Sequence, residues 1–357
     1  MKATRLPFVL FFSALGALSA QTVSIDIRDG DSVGFAALTR MAEKTVADNG
    51  SWIVEVHTDF ADPNSDAGLL RNDGTIRLRE GDPLPAATLY GGNLAHRFFD
   101  LDLDSAGNLM AVVSTYTQTN RGDMLIWNDA AIVVGQLPVP LLTPEVRFSY
   151  AFRARANAQR RVLLIAQADS LQQLFAFDLD PTGAVVATQT LLREGGFVTG
   201  NPFPVRALTD SYNALALNER NEWMTIAQTG PRLPTDNDWS TGKDGLVILN
   251  GVILAAEGNP SPVAGRNYAV LFPGSETTLN DLGQHAFTAT LDGGQATDFL
   301  LVKNGQKFVQ DGDVLPALAP HALSITAGAP VFLANSGDLF WFASTDAPDA
   351  SRDQAFM

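Results

Sequence analysis

The sequence contains no cysteine. Disulfides and thiolate chemistry are therefore excluded, and stability must come from the core and from the way the architecture closes. Histidine is scarce as well. His57, His96, His285 and His321 are the whole set, and none forms an HxxxH or HExxH pair. Two imidazoles one helical turn apart are how the common zinc hydrolases grip their metal, so nothing here points to that class. There is no G-x-S-x-G elbow and no P-loop. A serine triad stays open, because its members meet only in space. Basic residues are few: 24 Lys and Arg stand against 39 Asp and Glu, for a net charge of -15. Such a surface repels phosphate backbones, which argues against nucleic acid as a partner and leaves solubility, cations or basic surfaces as its use.

Long apolar runs are also missing, with one short exception. Phe8 to Leu18 is apolar but too short to span a bilayer. It follows Lys2 and Arg5 and precedes the small-residue site Ala17-Leu18-Ser19-Ala20, which together read as a signal peptide over residues 1–20. Residues 21–357 are then a single domain that is secreted or held at the cell surface or in the periplasm, with no membrane span in the mature chain.

What is plentiful is Gly (30), Pro (19) and hydrophobic residues (46%), a mix that suits many short strands joined by turns. Ser24 to Asp31 (SIDIRDGD) echoes Thr75 to Asp82 (TIRLREGD). The acid-Gly anchor recurs at Gly30, Gly81, Gly195, Gly258 and Gly312, with a degenerate copy at Gly135 and often a Pro behind it. Between anchors lies an Asn/Asp-x-x-Gly turn, as in Asn280 to Gly283, Asp104 to Gly107 and Ala334 to Gly337, with weaker copies around Gly50, Gln159 and Asn221. A third signature is an apolar strand ending in Asn-Gly, as at Asn250-Gly251 and Asn304-Gly305, the strongest short hairpin signal. Each unit thus holds about four strands in roughly 56 residues, the pattern of a propeller blade.

The fold expected is all-β, a six-bladed β-propeller with four-stranded antiparallel blades. The chain opens on a lone final strand, Val23 to Arg28, and its last unit lacks one, so the N-terminal strand is expected to complete the last blade. Phe35 to Ala47 is rich in helix formers. The repeat register makes Lys44 to Ala47 a strand and leaves room for a helical turn before it.

Coupled as Asn280-x-x-Gly283-x-x-x-Phe287 and Arg79-Glu80-Gly81-Asp82-x-x-Pro85, these elements resemble the exported bacterial tandem-repeat proteins built on an NxxG repeat. The resemblance covers nearly the whole mature chain. It implies a propeller-like secreted protein and no established activity.

Two groups of residues are candidate sites. Asp100, Asp102 and Asp104 alternate as the acids of calcium loops do, and calcium is the one cofactor that pattern suggests. In a strand the same acids would lie on one solvated face and cap the following turn. Trp239, with Asp236 and Asp238, stands in the longest irregular insertion, the natural place for a binding surface. Trp127 and Trp341 fall in strand registers and read as core. The function expected is a non-catalytic, exported binding or interaction module for a protein or carbohydrate ligand. The alternative is a propeller hydrolase, calcium-dependent and lactonase-like or glycan-active, using the axial pocket.

Overall fold

The computed structural model describes residues 30–33, 36–47, 49–62, 65–88, 92–117, 120–208, 214–230, 244–271, 275–294, 297–325, 330–347 and 354–356. It is all-β: six small antiparallel sheets form a ring, a six-bladed β-propeller. Blade 1 is β1 (Leu38–Val46), β2 (Trp52–Thr58), β3 (Ala67–Arg71) and β4 (Ile76–Arg79). Blade 2 is β5 (Pro83–Thr88), β6 (Gly92–Leu103), β7 (Leu109–Thr117), β8 (Asn120–Trp127) and β9 (Ala130–Val134). Blade 3 is β10 (Phe148–Ala156), β11 (Arg161–Ala168), β12 (Leu171–Leu179) and β13 (Val185–Arg193). In blade 4, β14 (Val205–Leu208) and β15 (Leu215–Leu217) both pair with β16 (Trp223–Thr229), followed by β17 (Gly245–Leu249) and β18 (Val252–Ala256). Blade 5 repeats that split inner strand with β19 (Tyr268–Val270), β20 (Thr277–Leu279), β21 (His285–Leu291), β22 (Phe299–Lys303) and β23 (Gln306–Gln310). Blade 6 has β24 (Leu323–Ser324) and β25 (Val331–Leu333) on one side of β26 (Leu339–Thr345) and β27 (Gln354–Phe356) on the other.

Strand register explains the core. In blades 1 to 5 the second strand lies between neighbouring blades and is buried along most of its length, whereas β26 of blade 6 buries alternate residues. On β7, Met110 and Val112 pack with Phe148, Phe175 and Phe177 of blade 3, while Ala111 and Val113 pack with Ile53 and Leu69 of blade 1. Trp127 and Trp341 are buried in these layers, as their registers predict. The helix-forming segment is strand from Leu38 to Val46, so pairing with β2 overrides its propensity and the helical turn allowed before Lys44 does not form.

Each sequence signature has a hydrogen-bonding task. At the anchors, the Gly amide donates to the inner strand of the next blade, and that strand returns an amide: Gly81 to Ala95 with Ala95 to Asp82, and Gly312 to Leu323 with Leu323 to Asp313. The Gly lies at positive φ in these anchors, as at Gly81 (φ 87), where a side chain would be strained. Gly30 is built the same way, donating to Leu38, which donates back to Asp31. In the degenerate copy the phase shifts by one residue. Gln136 (φ 67) donates to Phe148, and Gly135 stands where other anchors have the acid. A Cβ on Gly135 would meet the Asp123 backbone at 3.1 Å.

The Asn-x-x-Gly turns do more than reverse the chain. Asn280 Oδ1 accepts the amides of Leu282 and Gln284, closing its own turn. Its Nδ2 donates to the Ala334 carbonyl of the next blade at 2.9 Å. Asn218 donates to the Asn280 carbonyl and Asn157 to the Asn218 carbonyl in the same manner, at 2.9 Å and 2.7 Å. Two of the three weak copies are therefore sound turns, with Arg160 (φ 60) and Asn221 (φ 62) taking the left-handed position of the Gly. Asp104 caps its turn but has no amide to send onward.

The fourth strand expected for blade 6, Val23 to Arg28, lies outside the described residues. Deleting residues 21–29 is expected to lower the melting temperature by about 10 °C or more, because an unpaired blade edge also invites self-association. Scanning calorimetry with size-exclusion chromatography checks this; an unchanged, monodisperse deletion variant would rule the closure out.

Candidate functional site

Antiparallel order places the anchor loops and the loops between second and third strands at one end of the ring, here the anchor end. The Asn-x-x-Gly turns and Asn-Gly hairpins lie at the opposite end. The anchor end is fastened by an acid that no motif announced. Asp59, Asp169, Asp292 and Asp346 each follow the second strand of their blade. Each donates its amide to a carbonyl just before the inner strand, and its carboxylate accepts the amide of that same residue: Ala37, Arg147, Asn267 and Ala322. In blade 4 the partner is Pro204, which has no N–H to give, and the acid is replaced by Gly230, whose amide still reaches the Pro204 carbonyl. The carboxylate is lost where its donor is lost.

This end carries exposed apolar side chains on ordered loops. Phe197 is 68% exposed and Phe203 50% exposed, in the loop from β13 to β14. The loop is not slack: Asn201 caps Phe203, Val205 donates to Gly196, and Val198 is buried beneath. Phe60, Leu141 and Val314 are exposed on the same end. Val46, Val252 and Leu282 are as exposed at the opposite end, so what sets Phe197 and Phe203 apart is two aromatic rings on one hydrogen-bonded loop. The insertion that holds Asp236, Asp238 and Trp239 leaves from Gly230, at this end, and itself lies outside the described residues.

The alternating acids sit elsewhere. Asp100 and Asp102 are on β6, facing the inner strand of blade 3. Asp100 Oδ2 accepts the Ala154 amide at 2.7 Å and pairs with Arg155 Nη1 at 3.2 Å. Asp102 accepts the Ala156 amide at 2.9 Å and the Thr45 hydroxyl at 3.5 Å. Burial pushes Asp102 up to about 6, against the pull of Arg155. Burial opposes the charge on Arg155, yet Asp100 and Asp102 outweigh it and hold the guanidinium above its ordinary value. Asp104 turns away to its own turn, accepting the Ala106 and Asn108 amides. The three carboxylates thus serve three places. Asp104 is the turn cap expected of it, whereas Asp100 is buried and Asp102 half-buried between blades rather than set on a solvated face. Among the described residues no three His, Asp or Glu side chains group as metal ligands.

A cavity of 460 Å³ opens between blades 1 and 2. Leu84, Leu109 and Ile126 line its apolar side, and Arg77 bridges to Asp129 across it. Its size suits a small ligand. Of the histidines, His57 pairs with Glu55 at 3.0 Å, and burial lowers His285 and His96 below their ordinary value.

No family model and no curated protein matches the chain. Among solved structures it is similar to puromycin hydrolase, at 14% identity and a TM-score of 0.40, over 87% of this chain and 43% of that one. It is also similar to the RRP9 WD40 repeats, at 10% identity and a TM-score of 0.35, over 85% of this chain and 87% of that one. A third is the complex of KlAtg21 with the coiled coil of AgAtg16, at 12% identity and a TM-score of 0.41, over 88% and 84%. These likenesses concern the fold alone.

Proposed function

We propose that the chain is an exported, non-catalytic propeller that binds a protein or carbohydrate ligand at the anchor end of its ring. The observation that carries this is the pair Phe197 and Phe203, half or more exposed on a hydrogen-bonded loop beside Gly230, from which the Trp239 insertion departs. Rigid aromatic side chains give large contact area at little entropic cost, whether the ligand is a sugar face or an apolar peptide. The use of the buried acids supports the same reading. Asp100, Asp102, Asp123 and Glu257 accept backbone amides that hold blades together, which is frame work rather than chemistry. The hydrolase alternative asks for acids free to meet a substrate in the axial pocket.

Glycan and peptide arrays probed with the mature chain test the proposal. Trp239→Ala and Phe203→Ala are each expected to weaken binding about tenfold or more while leaving the melting temperature within about 1 °C. Full binding by the double variant would refute this surface as the site.

A further inference from the structure

The anchor acids repeat with a companion. Glu80, Glu257 and Asp311 end the outer strands of blades 1, 4 and 5, and each donates its amide to the residue opening the third strand: Ala67, Gly245 and Phe299. The residue just before each of those is also an acid: Asp66, Asp244 and Asp298. The backbone therefore places two acidic residues side by side at three joints. Backbone amides also meet these carboxylates: Glu80 accepts the Ala67 amide at 3.2 Å, and Glu257 accepts the Asp244 amide at 3.0 Å. Two of these acids also cross to the next blade, where Glu257 accepts the Leu271 amide at 2.6 Å and Asp311 accepts the Ile325 amide.

Blades 2 and 3 break the pairing in an informative way. The two positions hold Gly122 and Gly135 in blade 2, and Leu171 and Glu194 in blade 3. There the inter-blade acceptor moves to the first residue of the third-strand register. Asp123 accepts the Ala151 amide at 3.1 Å, and Gln172 accepts the Leu208 amide at 2.7 Å. A joint thus needs only one acceptor, and blades 1, 4 and 5 bring two carboxyls where the hydrogen bonding requires one.

We propose that the joints of blades 1, 4 and 5 are proton locks, in which each pair of facing carboxyls holds one proton between its members, so that the ring tightens in mildly acidic medium. Neighbouring carboxylates repel when both ionise, while a single shared proton turns the repulsion into a hydrogen bond. The groups around each pair fit. Glu80 faces Asp66 and, from β2, His57; burial is the main cause that raises it to about 7. Asp244 faces Glu257, the Gln228 amide at 2.9 Å and Arg206 of β14; burial and then Glu257 raise it to about 6. Burial, with Asp298 adding to it, raises Asp311 as well.

The sign of the effect follows from linkage. Each of these acids binds its proton more tightly folded than unfolded, so it adds stability at low pH that is lost as pH rises through the folded value. The window runs from about pH 4 to about 7. The full mature chain, melted at steps between pH 8 and pH 5.5, is expected to gain about 4 °C on acidification. Glu80→Gln with Asp244→Asn, amides that keep an oxygen acceptor and supply a permanent donor, should raise the melting temperature at pH 8 and remove about half of the slope. Glu194→Gln, at a joint whose companion position is Leu171, should keep the wild-type slope. A wild-type melting temperature that falls on acidification through this range would overturn the proposal. So would a full slope in the double amide variant, or an equal loss of slope in Glu194→Gln.

Discussion

Asp100→Ala is expected to destabilise the ring by about 3 kcal/mol, because it removes the ion pair of the half-buried Arg155, leaving Asp102 as the nearest remaining carboxylate, and takes the acceptor from the buried Ala154 amide. Asp100 is 3% exposed, pairs with Arg155 at 3.2 Å and accepts the Ala154 amide at 2.7 Å. The substitution removes both contacts at once, between blades that no Asn-x-x-Gly tether joins among the described residues. Combining Asp100→Ala with Arg155→Met should recover much of the loss, since the guanidinium goes and apolar contact replaces it. Recovery should be incomplete, because the Ala154 amide still lacks its acceptor. Urea unfolding of the single and double variants separates the two contributions. A single variant within about 0.5 kcal/mol of wild type would show that Asp100 does not join these blades.

Asn280 yields the second large effect, and its substitutions split two roles. Asn280→Ala loses the turn cap and the tether to Ala334 together, at about 2 to 3 kcal/mol. Asn280→Asp keeps an acceptor for the Leu282 and Gln284 amides and loses the Nδ2 donor to the Ala334 carbonyl and to Gln284 Oε1. It is expected to cost about 1 to 2 kcal/mol, less than the Ala variant, because the turn cap survives. Asp104 shows that an acid closes this turn well, through Ala106 and Asn108. Equal costs for Asp and Ala would mean that the turn cap adds nothing beyond the tether.

The frame of this molecule was legible because its turns need residues of a particular kind. An Asn with a free amide and a Gly with φ above zero leave a mark in sequence, and six blades followed from counting them. The marks blur where another residue accepts the strain. Arg160 and Asn221 take the left-handed position, so the turns at Asn157 and Asn218 look weak in sequence and are sound in space. At Gly135 the phase is off by one, because Gln136 adopts the Gly conformation while Asp123 supplies the carboxylate from the adjacent strand. The clamping acids were not legible at all. Asp59 and its counterparts bond to residues 22 to 25 positions away, and only an Asp closing the second strand in four of the six blades hints at them. The acids on β6 read correctly as a strand pattern. Their surroundings did not, because what an inner strand faces is decided by the neighbouring blade. The exposed pair Phe197 and Phe203 gave no motif either, since exposure depends on how a loop is held.

The Asn tethers, finally, have a beginning and an end. They run from Asn157 through Asn218 and Asn280 to the Ala334 carbonyl, and Ala334 has no side-chain amide to carry the series on. Blades 3 to 6 are therefore riveted along one rim into a continuous arc. Blade 2 is joined to blade 3 by the carboxylates of Asp100, Asp102 and Asp123 and by the Gln136 anchor instead, and blade 1 to blade 2 by the Gly81 anchor and the Arg77–Asp129 pair. Among the described residues that rim is thus tethered across four of the six blades. The Phe197 and Phe203 loop stands at the opposite rim, over this tethered arc, so the surface proposed for binding is backed by blades already joined to one another.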